Sequence, residues 1–239
     1  KKILIIQTAS IGDVILATSV VESLHSHFEK CQIDILVKKQ NAELFINHPI
    51  INQTITLDRE NNKIFEIFRL LKKIRSVKYD ICINIQRFFT SGLLTAFSAS
   101  KTKVGFNKNP FSFLFNYSVP HLFDGQHEIM RNNELLSFLK IKNFKLPKLY
   151  PADNDIKNTL NLKTEKYICI APTSLWFTKQ FPIEKWIEFV DNISNEIKIY
   201  ITGAKNDFQI SEQIIKSSRN KNIFNLCGKL SLLETASLM

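Results

Sequence analysis

One carboxylate, Asp13, closes the stretch Thr8-Ala9-Ser10-Ile11-Gly12-Asp13, which separates a short apolar run from a long amphipathic one. A carboxylate at such a junction has two readings. It can cap a helix, a contribution of about 1 kcal/mol, or it can take a proton from a bound hydroxyl. Gly12 lets the chain bend and lets a ligand come close, and Ser10 adds a hydroxyl. The spacing is not G-x-G-x-x-G, so the dinucleotide fingerprint is absent. A second candidate is "APTSLWFTKQFPIEKW" (171–186). Thr173, Ser174 and Thr178 offer hydroxyls there, and Lys179 offers a compact positive charge. With the amides of a helix starting near Pro182 or Ile183, this set suits an oxyanion or a diphosphate. The plain alternative is a polar loop with a surface lysine. In "TGAKND" (202–207), Gly203 can sit close to a ligand, and Asp207 can accept ribose hydroxyls or cap a helix. In "NLCGKLSLLE" (225–234), Gly228 predicts a tight turn and Ser231 a helix cap.

The surrounding pattern says what positions these residues. Apolar runs at 2–7, 33–37, 54–57, 79–85, 103–106, 167–172, 198–202 and 223–226 read as strands. Helical spacing predicts helices over 13–28, 62–75, 90–99, 126–139, 183–193, 206–219 and 231–238. The first carries Val14, Ala17, Val21, Leu24 and Phe28 on one stripe. The second carries Ile64, Ile67, Phe68, Leu71 and Ile74, and the fourth turns Ile129, Leu135, Leu136 and Leu139 inward. Strands alternating with helices imply an α/β fold with parallel sheets covered on both faces. The periodicity stops after residue 139 and resumes near 166, across a polar stretch holding Pro147 and Pro151. The chain therefore reads as two Rossmann-like domains, 1–145 and 166–239, joined by a linker over 146–165, with a cleft between them. Ligands of open α/β sheets sit beyond the carboxyl ends of the strands. That rule selects the four turns named above.

The 239 residues carry a net charge of +10 and are 44% hydrophobic. The charge favours an acidic partner: phosphate, nucleotide, nucleic acid or an anionic lipid surface. Nucleic acid is the weakest of these, because the basic residues are scattered and no RNP, KH or zinc motif occurs. The N-terminal apolar run is too short for a secretory leader, and no stretch reaches the roughly 18–20 apolar residues of a membrane span. Of the four cysteines, Cys82 and Cys169 lie in strand-like apolar runs and none forms a C-x-x-C pair, which reads as a reduced, cytoplasmic protein without a metal site. "NPFSFLF" (109–115) is unusually aromatic and reads either as core or as a lipid-facing surface.

In this order, "SIGDV", "HEIMRN" (127–132), "PTS…TKQFPIEKW" and "LCGKLSLLE" resemble the bacterial ADP-heptose:lipopolysaccharide heptosyltransferases, through essentially the whole chain. The resemblance implies the GT-B fold of two Rossmann-like domains, the C-terminal one binding the nucleotide sugar. It implies Asp13 as general base for the acceptor hydroxyl and Lys179 as the cation that neutralises the leaving diphosphate. Thr173, Ser174, Thr178, Gly203, Asp207 and Leu230 become donor-binding positions, with Leu230 against adenine and Asp207 on the nucleoside. His127 and Arg131 match a recurring stretch whose role is structural or site-forming.

The resemblance implies an inverting transfer of heptose from ADP-heptose to an inner-core sugar, Kdo or heptose, on lipid A. No D-x-D motif marks the expected loops, so no metal or other cofactor is expected. Closure of the two domains would bring Asp13 and Lys179 to one sugar and exclude water. The acceptor is anionic and amphiphilic, which implies peripheral contact with the cytoplasmic face of the inner membrane. Ser10, Gly12, Lys101 and Lys103, with Arg87 and Lys108, are the acceptor-side candidates. The family continues into a D-[ST]-G-x-x-H segment that these residues do not reach. The C-terminal domain is thus expected to be incomplete here, with catalysis by these residues alone left open. A relative using another nucleotide sugar, or an inactive sugar-binding scaffold, is the alternative.

Overall fold

Short buried strands alternate with helices along the chain, as the apolar runs require. A computed structural model describes residues 1–58, 62–122, 124–141, 143–174 and 176–239. The chain divides into two units, Lys1–Tyr150 and Pro151–Met239.

In the first unit, strands β1 (Lys2–Ile6), β2 (Gln32–Lys38), β3 (Ile51–Leu57), β4 (Ile81–Asn84), β5 (Thr102–Phe106) and β6 (Tyr117–Val119) form one sheet. Their order is β3-β2-β1-β4-β5-β6, and every pairing is parallel. Helix α1 (Ile11–His27) leads from β1 to β2, α2 (Lys63–Val77) from β3 to β4, and α3 (Phe89–Ala96) from β4 to β5; α4 (Glu128–Glu134) follows β6. β1 is central, and Ile3 to Ile6 are wholly buried, which is why the run is apolar on both faces. Leu70 and Ile74 of α2 and Leu94 of α3 share one core cluster with Leu4, Ile6 and Leu36, so both helices cover the same face of the sheet.

The polar stretch after α4 is not a free connection. Residues 145–150 run along α1, whose buried Thr18, Ser19 and Ser23 supply hydroxyls to them. Ser19 donates to the Lys145 carbonyl (2.7 Å), and the amides of Lys145 and Lys148 donate to Ser23 and Thr18 (2.9 and 3.0 Å). Residues 146–150 therefore belong to the first unit. Residues 151–165 belong to the second, where α5 (Asp153–Thr159) packs on the last helix, α8 (Leu232–Leu238). Strands β7 (Tyr167–Ile170), β8 (Lys198–Ile201) and β9 (Ile223–Asn225) form its parallel sheet in that order. Helices α6 (Ile183–Asp191) and α7 (Phe208–Ser217) connect them, and Val190, Ile199, Ile201 and Ile214 are its fully buried centre.

Several expectations change. β3 begins at Ile51 rather than residue 54, because His48 Nδ1 accepts the amides of Ile50 and Ile51 (3.2 Å each) and straightens the chain early. The helix expected over 126–139 ends at Glu134 and gives way to a 3-10 turn, Ser137–Leu139, closed by Lys140 in the left-handed region. β6 was not expected; it is a three-residue edge strand with no buried residue to mark it. In α2 the stripe is rotated: Ile64 and Phe68 are exposed, while Glu66 is buried. Within 109–115, Phe113 and Leu114 are exposed, so the core reading fails for them, whereas the Phe115 ring lies over Gly105, where a Cβ would come within 2.5 Å of it. Asn109 fills the space left by Gly92 of α3, bonding the Gln86 and Phe88 carbonyls (3.1 Å each) and the Phe111 amide (2.9 Å).

Candidate functional site

Just beyond the carboxyl ends of β1 and β4 stand two glutamines, Gln7 and Gln86, and both side chains are buried. Buried amides must find partners, since an unsatisfied one costs about 1–3 kcal/mol. Gln7 Oε1 accepts from Gln86 Nε2 and from the Ala9 amide (3.2 Å), and Asn41 Nδ2 donates to the Ala9 carbonyl (3.2 Å). The elbow after β1 is thereby tied on two sides before α1 starts.

Ser10 is the N-cap of α1, and Asp13 stands three positions on, so the cap is shared rather than supplied by Asp13 alone. Asp13 Oδ2 accepts from the Ser10 amide (3.1 Å) and from the Ser10 hydroxyl. Its other oxygen makes no hydrogen bond among the described residues. Gly12 has no positive φ, and a Cβ there would meet nothing within 4 Å. It makes no sharp bend; it leaves the first turn of α1 open. A carboxylate with one oxygen anchored and the other without a hydrogen bond among the described residues is oriented without being used up, which is what a proton acceptor needs.

Asp207 repeats this geometry at the carboxyl edge of the second sheet. Its Oδ2 accepts from the Ala204 amide (2.7 Å), and no partner holds the other oxygen among the described residues. A Cβ on Gly203 would sit 2.8 Å from Asp207 Oδ2 and 3.1 Å from Cys227 Sγ, so this glycine makes room for the carboxylate. Two further boxes act as controls. Glu234 is tied on both oxygens, to the Ser231 amide (2.7 Å) and to Asn158 Nδ2 (2.6 Å), and does only structural work. Asp155 has the same single tie, to the Ala152 amide, but stands in α5, ahead of β7, and not in a turn that follows a strand.

The loop after β7 is built differently. Ser174 accepts the Trp176 amide (3.3 Å), its carbonyl takes Gln180 Nε2 (2.7 Å), and a 3-10 turn, Phe177–Lys179, follows. Thr173 is half-buried; Thr178 and Lys179 are exposed, and the Lys179 ammonium has no hydrogen bond or ion pair among the described residues. Leu175, within this block, lies outside the described residues. Pro182 is the N-cap of α6, one position before the first helical turn. The loops after β8 and β9 are joined, since the Gly228 amide donates to the Gly203 carbonyl (2.9 Å), and Gly228 takes φ +70° with the Lys205 backbone packed over it. Leu230, just beyond, is half-buried.

With the sites described, the comparisons decide the family. The pattern of glycosyltransferase family 9 (heptosyltransferase) matches residues 67–239, well over half of the chain. The chain is a family 9 glycosyltransferase. Lipopolysaccharide heptosyltransferase 1 of Campylobacter coli is 26% identical over 98% of this chain and 74% of its own length. Lipopolysaccharide heptosyltransferase 3 of Escherichia coli K12 is 22% identical over 95% of this chain and 71% of its own. Among solved structures, a family 9 glycosyl transferase of Veillonella parvula superposes with TM-score 0.87 at 17% identity, covering 100% of this chain and 72% of that one. E. coli ADP-heptose lps heptosyltransferase II gives 0.83 at 19% identity, with coverage of 100% and 76%. The shared fold is that of GT-B glycosyltransferases.

For this family 9 enzyme the topology separates the basic candidates. Lys101 precedes β5 and pairs with Asp80 (2.7 Å), and Lys103 is the second residue of that strand. Both are at the amino edge of the first sheet, away from Ser10, Gly12 and Asp13. Arg87 and Lys108 follow β4 and β5, at the carboxyl edge. His121, which follows β6, was not singled out by sequence. Burial pushes its pKa down, and the nearby positive charges of Arg87, Arg131 and Lys108 add to the effect. His127 caps α4 through Nδ1, and Arg131 folds onto the Glu128 carboxylate and the Gln126 carbonyl (3.0 Å), so this stretch has a structural role. Among the described residues, no helix is long and apolar enough to cross a membrane.

Proposed function

We propose that this glycosyltransferase moves heptose from ADP-heptose to a sugar of the lipopolysaccharide inner core, Kdo or heptose carried on lipid A, with inversion at the anomeric carbon. The relatives are named for lipopolysaccharide heptosyl transfer, and one neighbouring structure is an E. coli heptosyltransferase with ADP-2-deoxy-2-fluoro heptose. In this reading Asp13 takes the proton from the acceptor hydroxyl as it attacks. The bond from the anomeric carbon to the diphosphate oxygen breaks, and ADP leaves. Lys179, with amides of the Thr173–Thr178 loop, offsets the charge that grows on the departing diphosphate, so no metal is required. Asp207 receives ribose hydroxyls, and Leu230 lies against the adenine. Arg87, Lys108 and His121 meet the acceptor's anionic groups, in place of Lys101 and Lys103.

The observation that carries this reading is the half-anchored Asp13 carboxylate at the carboxyl edge of the first sheet. The test is heptose transfer by purified protein, with product stereochemistry read by NMR. Asp13→Asn keeps an acceptor for the Ser10 amide but cannot take a proton. We expect its kcat to fall by about a thousandfold while its melting temperature stays near that of the parent. Normal turnover by Asp13→Asn would remove the base assignment. Stabilisation by UDP- or GDP-sugars, with none by ADP-sugars, would remove the donor assignment.

A further inference from the structure

The second unit treats its two tryptophans in opposite ways. A large aromatic side chain gains by leaving water, and Trp186 of α6 does so. It lies edge-on to Phe181 (5.5 Å) and Phe189 (5.9 Å) and packs against the core of the unit. Trp176, in the loop after β7, is 67% exposed, and no ring contact holds it among the described residues. Its backbone nevertheless has a defined place. The Trp176 amide donates to Ser174 Oγ (3.3 Å), and its carbonyl accepts the Lys179 amide (2.9 Å). That second bond closes the 3-10 turn Phe177–Lys179, so Trp176 and Lys179 stand at the two ends of one turn, their Cα atoms less than about 7 Å apart. Phe177 stands inside the turn and is not part of that pair.

An indole and an ammonium paired across one turn restrict what the indole can meet. In the proposed reaction Lys179 receives the departing diphosphate. Adenine is separated from the outer phosphate by the ribose and the inner phosphate, and Asp207 and Leu230, beyond β8 and β9, are the groups proposed for the nucleoside. The transferred sugar is joined to the outer phosphate by the very bond that breaks. The ring that comes within reach of position 176 is therefore the sugar. The chemistry agrees. One face of a pyranose presents C–H groups, and such groups pack on the electron-rich face of an aromatic ring. A loop of hydroxyls and one lysine would suit a bare diphosphate; a tryptophan at the end of the same turn suits a diphosphate with a sugar attached.

We propose that Trp176 is the platform for the transferred sugar, its indole face against the C–H face of the pyranose while Lys179 holds the adjoining diphosphate. This deepens the reading of a nucleotide-sugar donor and rests on it. It gives recognition of the sugar to one side chain and leaves affinity for the nucleotide to others. The test is isothermal titration calorimetry of the full-length protein with ADP-heptose and with ADP, with tryptophan emission read on the same samples.

For Trp176→Ala we expect about tenfold weaker binding of ADP-heptose, with binding of ADP within about twofold of the parent. Trp176→Phe keeps a ring and should recover most of the loss. The side chain is exposed, so both variants should keep the parent's melting temperature. ADP-heptose should change the tryptophan emission of the parent, ADP should leave it, and Trp176→Phe should abolish the response. Equal weakening of both ligands, unchanged binding of ADP-heptose by Trp176→Ala, or a full emission response to ADP alone overturns the proposal and leaves the donor reading in place. A parent that binds neither ligand removes the donor reading and the proposal together.

Discussion

The elbow after β1 and the loop after β7 hold the two principal charges of the proposed reaction in opposite ways. At the elbow, Gln7, Gln86, Asn41 and Ser10 fix the backbone and one oxygen of Asp13 before any ligand arrives. In the loop, two polar contacts and a single 3-10 turn hold the chain, and Lys179 extends from it without a partner among the described residues. A base must be aimed within a few tenths of an ångström of a proton, so rigidity serves it. A counter-charge for a diphosphate acts over a longer distance and tolerates freedom. Changes at the elbow should therefore lower both stability and rate, and changes in the loop should lower rate alone.

The largest effect is expected at Asp13. Asp13→Ala removes the proton acceptor and half of the capping box, so kcat should fall about a thousandfold and stability by about 1 kcal/mol in denaturant titration. Lys179→Met should lower kcat about a hundredfold and leave the melting temperature unmoved. A loss of stability in that variant would break the contrast. Gln7→Leu strips partners from Gln86 and the Ala9 amide and should cost about 2 kcal/mol, with a drop in kcat at unchanged KM, whereas Ser174→Ala should cost under about 0.5 kcal/mol.

Both units should lose a carboxylate contribution as pH falls from 3.8 toward 2, through Asp80 (held down by Lys101) and Asp191, but only the first should also respond near neutral pH. Burial holds the His48 pKa down at about 4 against 6.5 for the free side chain, so the unfolded chain binds more protons below 6.5. First-unit stability should be flat above that pH and decline as pH falls from 6.5 toward 4. In the second unit, Asp191 is held at about 2 by Ser218 and by the Arg219 and Asn220 amides. Its contribution is fully present above 3.8 and is lost only as pH falls from there toward 2. His48→Asn should shrink the decline below pH 6.5 in thermal melts, leaving the part that the buried His121 contributes, and leave the lower window unchanged. The smallest effect is expected for Lys101→Met, which breaks an exposed pair at the amino edge: about 0.5 kcal/mol or less, with transfer unchanged.

Much of this design is legible in the sequence. Fully buried strands such as Ile3–Ile6 and Ile199–Ile201 announce themselves because both faces must be apolar, and Ser10, Asp13, Gly228 and Ser231 carry turn and cap chemistry in their side chains. What escaped depended on direction and partnership. Lys101 and Lys103 looked equivalent to Arg87 and Lys108 until the parallel sheet put two before a strand's midpoint and two after a strand's end. Glu66 carries no sequence signal of burial, because its partners, Arg69 and the Asp58 amide, turn it inward only once β3 has placed Asp58. Gln7 and Gln86 carried no motif. Their one sequence signal was an amide closing each of two largely apolar runs, "ILIIQ" and "ICINIQ", the second of which also holds Asn84.

Asn109 occupies the volume that a side chain at position 92 would need, its Oδ1 lying 2.0 Å from where such a Cβ would be. Grafting the 107–116 crossover between β5 and β6 from a relative is thus a two-site operation: a donor lacking Asn109 leaves a void above Gly92, and a host lacking Gly92 cannot seat the graft. Chimeras exchanged as one block spanning 86–116 keep lock and key together, and libraries that shuffle acceptor preference should cut the gene outside those limits.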